Sequence, residues 1–123
     1  MNFRTDRKNA VGLGSGREGT HHHWQMMVSS TLLVVLVPVF VITFGLGLGG
    51  TYEEVLAYFS RPLPVLITAL TLIVGIIHML REAQAAIEDY IHGPAEKLTL
   101  IGVNAFGYTM LAVALFALAR MAL

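Results

Sequence analysis

Leu63-Pro64-Val65-Leu66-Ile67-Thr68-Ala69-Leu70-Thr71-Leu72-Ile73-Val74-Gly75-Ile76-Ile77-His78-Met79-Leu80 decides the fold. From Leu63 to Leu80 the stretch is apolar, and His78 is its one ionisable side chain. A helix of about 20 such residues crosses a hydrocarbon core of about 30 Å. Pro62 and Pro64 mark its start, and the helix is read on through Arg81, Glu82 and Gln84 to Tyr90, where Gly93-Pro94 ends it.

Two further runs flank it. The first helix is read over residues 24–47, with no charge from Met26 to Gly50. Pro38 in its middle is expected to kink it, and Gly45, Gly47, Gly49 and Gly50 close it. The third is read over residues 98–120. It is rich in Gly102, Ala105, Gly107, Ala112, Ala114 and Ala117, small residues that let membrane helices approach. Between the first two, Thr51-Tyr52-Glu53-Glu54-Val55-Leu56-Ala57-Tyr58-Phe59 reads as a brief helix at the membrane interface, with Tyr52, Tyr58 and Phe59 in the aromatic belt.

Composition agrees. Of 123 residues, 55% are hydrophobic and 13% charged, where soluble domains carry about 25% charged residues. Mean hydropathy is +0.68. The expected fold is all-α, an integral membrane domain of three transmembrane helices over residues 24–123. A polar N-terminal arm over residues 1–23, read as extended or loosely structured, precedes it. Net charge is zero, which gives no case for nucleic acid, and the absence of cysteine excludes disulfides and thiolate metal sites. The first apolar run begins late for a signal peptide and is read as a retained helix. Gly12-Leu13-Gly14-Ser15-Gly16 has neither a strand before it nor Gly-Lys-Ser/Thr after it, so it is not read as a phosphate loop.

Lys and Arg set the expected orientation. With the N-terminus cytoplasmic, inside segments carry Arg4, Arg7, Lys8, Arg17, Arg81 and Lys97, and outside segments only Arg61 and Arg120.

Ionisable residues at membrane depth are costly and point to function. His78 is a candidate for haem or metal ligation, for proton relay, or for a hydrogen bond between helices. Arg81 and Glu82, three and four residues on, share its helix face. Arg81 either pairs with a haem propionate or snorkels to the interface. Asp89-Tyr90 stands about 18 Å farther along the helix. Its tyrosine either donates a hydrogen bond to a quinone carbonyl, with the carboxylate orienting it, or is an interfacial side chain beside a solvated Asp. His21-His22-His23-Trp24 reads as an interfacial anchor or partner contact rather than a single-metal site, because consecutive residues diverge on a helix. Gln25, Ser29, Ser30 and Asn104 add polar groups on the cytoplasmic side. They fit either a site at that face or simple hydrogen bonding between helices.

Together these features resemble a family. The arm Thr5-Asp6-Arg7-Lys8, Gly12-Leu13-Gly14-Ser15-Gly16-Arg17-Glu18-Gly19-Thr20 running into His-Trp, the connector Tyr52-Glu53-Glu54-Val55, and His78 followed after ten residues by Asp89-Tyr90 are similar to the smaller membrane anchor subunits of bacterial succinate dehydrogenase, respiratory complex II. The resemblance spans nearly the whole chain. It implies a non-catalytic subunit of a quinone-reducing enzyme of the tricarboxylic acid cycle and electron transport, multi-pass in the bacterial inner membrane. It implies that His78 is one axial ligand of haem b, the other coming from a second, cytochrome b556-type anchor subunit. It implies that Tyr90, with Asp89 beside it, borders the ubiquinone site near the iron–sulfur subunit, with a flavoprotein subunit beyond. Many relatives have an arginine early in helix 1, near the haem propionates. Here Trp24-Gln25-Met26-Met27-Val28-Ser29 has none, which makes Arg81 the candidate substitute. The alternatives are a haem-free membrane accessory or assembly protein and, within the family, a fumarate reductase anchor.

Overall fold

The computed structural model describes residues 3–12 and 19–123, and every regular element among them is helical. In chain order these are α1 (Asp6–Val11), α2 (Gly19–Leu46), α3 (Tyr52–Tyr58), α4 (Pro62–Tyr90) and α5 (Pro94–Ala122). The glycine-rich motif over residues 13–18 lies outside the described residues. Three helices, α2, α4 and α5, are long and apolar enough to cross a membrane. At 28 to 29 residues each, they are about 42 Å long, longer than a hydrocarbon core.

The spans match the expected order, and α4 (Pro62–Tyr90) the expected ends, but two of the starts differ. α2 begins at Gly19 rather than near residue 24, and α5 at Pro94 rather than near residue 98. Hydropathy marks where lipid begins, whereas a helix continues into water until the backbone is interrupted. Nothing from Gly19 onward interrupts α2, which runs on through Pro38. Pro94 lacks the N–H that a first helical residue leaves unused, so it opens α5 in the turn where Glu96 and Lys97 stand. The arm also contains regular structure. α1 is capped by Thr5, whose hydroxyl accepts the Lys8 N–H at 3.1 Å, and Gly12, at φ +67°, ends it.

α4 is the middle of a row, packing against α2 on one side and α5 on the other. α2 and α4 run antiparallel. A Cβ at Gly75 would sit 3.9 Å from Leu33, and the pairs Ser29–His78 and Gln25–Arg81 follow in step. On the other side Leu80 lies so close over Gly107 that any side chain there would overlap it. At the far end α3 folds back under α2. Thr51 and Glu54 form a reciprocal cap, at 3.3 Å and 3.1 Å, and Tyr58 donates its hydroxyl proton to the Thr43 carbonyl. Phe59 is buried there against Phe44, ring centroids 5.5 Å apart.

Interior is scarce. Phe59, Leu80 and Leu118 are the buried large apolar side chains among the described residues. Val34, Ile42, Leu66, Ile101, Phe106 and Phe116 are all more than half exposed. Lipid and other chains are the surroundings that suit such a surface.

Candidate functional site

The site is built where α2 and α4 face each other toward the N-terminal end of α2. His21, Gln25 and Ser29 recur every fourth residue and so share one face of α2. Opposite them, α4 presents His78, Arg81 and Glu82. This repeat of polar residues was readable in the sequence as a stripe. What it faced was not, since that depends on the depth and rotation of both helices.

His78 is the centre. Its side chain is 15% exposed. Nδ1 lies 2.8 Å from Ser29 Oγ. Nε2 lies 3.5 Å from a carboxylate oxygen of Glu82, one turn on, and the Glu82 side chain is 63% exposed. Ser29 Oγ also lies 3.1 Å from the Met26 carbonyl oxygen, to which it donates. One turn toward the N-terminus of α2, Arg81 donates through Nη1 to the Gln25 side-chain oxygen, and the Gln25 amide nitrogen donates to His21 Nε2 at 2.8 Å. Two linked sets of polar side chains therefore span the helix pair. An arginine carries five N–H donors, so one bond to Gln25 leaves others on the same guanidinium.

An open groove runs beside these contacts. Gln25, Ser29 and Arg81 border it, and Val28, Ile73 and Ile77 give it an apolar floor. A second, more polar cleft lies between the start of α2 and the end of α4, where Gly19 and His22 face Gln84, Glu88 and Asp89. Gln84 donates to Glu88 across one turn at 3.2 Å. Tyr90 is the last residue of α4 and is 85% exposed.

Other polar residues stay out of this cluster. Asn104 turns back to the Leu100 carbonyl on its own helix, at 2.8 Å, rather than across to a neighbour. Ser30 is exposed. His22 borders the polar cleft, separate from the His21 contact, so the triple histidine divides between two surroundings.

The chemistry of His78 would suit a residue that holds haem iron. Ligating imidazoles characteristically give their second nitrogen to a hydrogen-bond partner that fixes the ring. Here Nδ1 has that partner, and Nε2 is met only by an exposed, movable carboxylate at a distance too long for a strong hydrogen bond.

The comparisons with known proteins agree over nearly the whole chain. Residues 1–120 match the model of the succinate dehydrogenase/fumarate reductase transmembrane subunit family. The chain is 47% identical, over its full length and 95% of the relative, to a succinate dehydrogenase hydrophobic membrane anchor subunit of Paracoccus denitrificans. It is 26% identical to the protein of the same description from Rickettsia bellii (strain RML369-C), over 80% of this chain and 79% of that one. No solved structure matches it significantly. With three membrane-length helices and this match from end to end, the chain belongs to the family of succinate dehydrogenase membrane anchor subunits.

Proposed function

We propose that this chain anchors a succinate:quinone oxidoreductase in a bacterial cytoplasmic membrane, co-ligates haem b through His78, and helps form the ubiquinone-reduction site with Tyr90 and Asp89. The observation that carries the reading is the state of His78: an imidazole inside an apolar helix, engaged at Nδ1 by Ser29. Haem b, when bound, supplies a one-electron centre within the membrane. His78 would hold it from this chain, and the second ligand would come from the other anchor subunit. Arg81, fixed at one nitrogen by Gln25, has donors left for a propionate.

The quinone belongs at the other end of the same helix segment. Tyr90 stands free of its own fold, available to donate to a quinone carbonyl within a surface completed by the iron–sulfur subunit. Asp89 lines the adjoining polar cleft with Glu88 and His22, groups able to exchange protons with water as a quinone becomes a quinol. The basic residues of the N-terminal arm support a cytoplasmic location for this end. There the iron–sulfur and flavoprotein subunits would deliver electrons from succinate. The chain itself catalyses nothing; it positions the quinone and its proton donors.

The test is His78→Ala in the assembled complex. The low-spin haem spectrum is expected to be lost or altered, and an unchanged spectrum would remove the ligand assignment. A second reading has one observation in its favour. His78 sits between Ser29 and Glu82, an arrangement suited to passing a proton in a haem-free accessory protein. A purified complex without a haem absorption band would favour it.

A further inference from the structure

We propose that Ser29 is a positioning residue for the axial ligand: it accepts the Nδ1 proton of His78 and so leaves the lone pair on Nε2. The inference rests on the reading of His78 as haem ligand and adds which residue sets that ligand's state.

Ser29 Oγ has two polar neighbours, the Met26 carbonyl oxygen at 3.1 Å and His78 Nδ1 at 2.8 Å. A carbonyl oxygen accepts and never donates. A hydroxyl has one proton, and the contact with Met26 is a hydrogen bond only when that proton points there. Toward His78 the same oxygen then acts as acceptor, and Nδ1 carries the hydrogen. A neutral imidazole protonated at Nδ1 has its free lone pair on Nε2. Metal ligation requires that lone pair.

Geometry supports the same assignment. The partner of Nδ1 comes from α2, not from the helix that carries the histidine, so the bond fixes the ring against a second helix. With Nε2 unprotonated, the 3.5 Å approach of Glu82 is not a hydrogen bond, and that carboxylate is exposed enough to leave. The Met26–Ser29 bond lies within one turn of α2, so the hydroxyl is oriented before any partner chain arrives.

The consequence is electronic. A hydrogen bond from Nδ1–H to an acceptor makes the imidazole a stronger donor at Nε2. A stronger donor favours ferric over ferrous iron, so Ser29 would lower the haem potential. Losing the hydroxyl would raise it.

The decisive pair is Ser29→Thr and Ser29→Val in the assembled complex, two side chains of one shape that differ in the hydroxyl. The threonine variant is expected to keep the wild-type haem midpoint potential. The valine variant is expected to shift it upward while the low-spin spectrum persists. Ser29→Ala, which adds no bulk, should repeat the upward shift and decides the matter if the valine complex fails to assemble. Equal potentials across the variants, with His78→Ala still abolishing the spectrum, would overturn the role of Ser29 and leave His78 as ligand. A low-spin spectrum that survives His78→Ala would overturn both.

Discussion

Arg81 of α4 donates to the side-chain oxygen of Gln25 on α2, one turn from the contact between Ser29 and His78. The first membrane helix carries no arginine in this region. It holds one instead, reaching across from the neighbouring helix. A cation one turn from His78 is thus supplied by α4 and oriented by α2, and it is the group proposed above to meet a haem propionate.

Gln25→Leu removes the acceptor from a charged donor in a partly buried seam. Interhelical hydrogen bonds in membranes are worth about 0.6 kcal/mol on average and up to about 1.7. The variant complex is expected to lose stability in that range, read as a lowered thermal midpoint in detergent. Gln25→Glu keeps an acceptor and should retain the wild-type midpoint. A leucine variant as stable as wild type would show that Arg81 gains nothing from Gln25.

Tyr90→Phe removes a single hydroxyl from an exposed ring. A transition-state hydrogen bond worth about 1.4 kcal/mol corresponds to a tenfold rate. Quinone reduction is therefore expected to fall about tenfold, while succinate oxidation with a soluble acceptor persists. Equal loss of both activities would point to damaged assembly.

Gly107→Ala tests the α4–α5 contact. The added methyl overlaps Leu80, which is 8% exposed and has little room to move. Overpacking of this kind costs about 1–3 kcal/mol. Leu80→Ala in the same chain should recover part of the loss. Two effects that simply add, measured by thermal denaturation, would place the strain elsewhere.

Thr68→Val addresses the opposite defect. Thr68 is 4% exposed, and its hydroxyl has no hydrogen-bond partner. Valine keeps the shape and removes the unmet polar group, whose burial costs about 1–3 kcal/mol. The variant is expected to be at least as stable as wild type. A clear drop in the thermal midpoint would mean that the hydroxyl finds a partner in the assembled complex.

Much of this architecture was legible in the residues. Uncharged runs around Pro38, between Leu63 and Leu80, and beyond Leu98 are enough to locate three spans, because lipid selects composition directly. The ends of α4 were legible too, from Pro62 and from Gly93-Pro94; the starts of α2 and α5 were not, since Gly19 and Pro94 precede the apolar runs and hydropathy carries no signal there. His78, Arg81 and Glu82 could be placed on one face from spacing alone. Their partners Ser29 and Gln25 could not, since residues 49 and 56 positions apart meet only once two helices have settled against each other. Asn104 shows the converse, a polar residue in a membrane helix that is satisfied by its own backbone.

The row of helices around α4, with so few side chains enclosed, has a consequence for supply. A chain whose outer faces await lipid and neighbouring subunits has little to protect it when it is made in surplus. Copies synthesised without those neighbours are expected to be cleared by proteolysis. The cellular level of this chain would then follow the scarcest of its partners, whatever its own rate of synthesis.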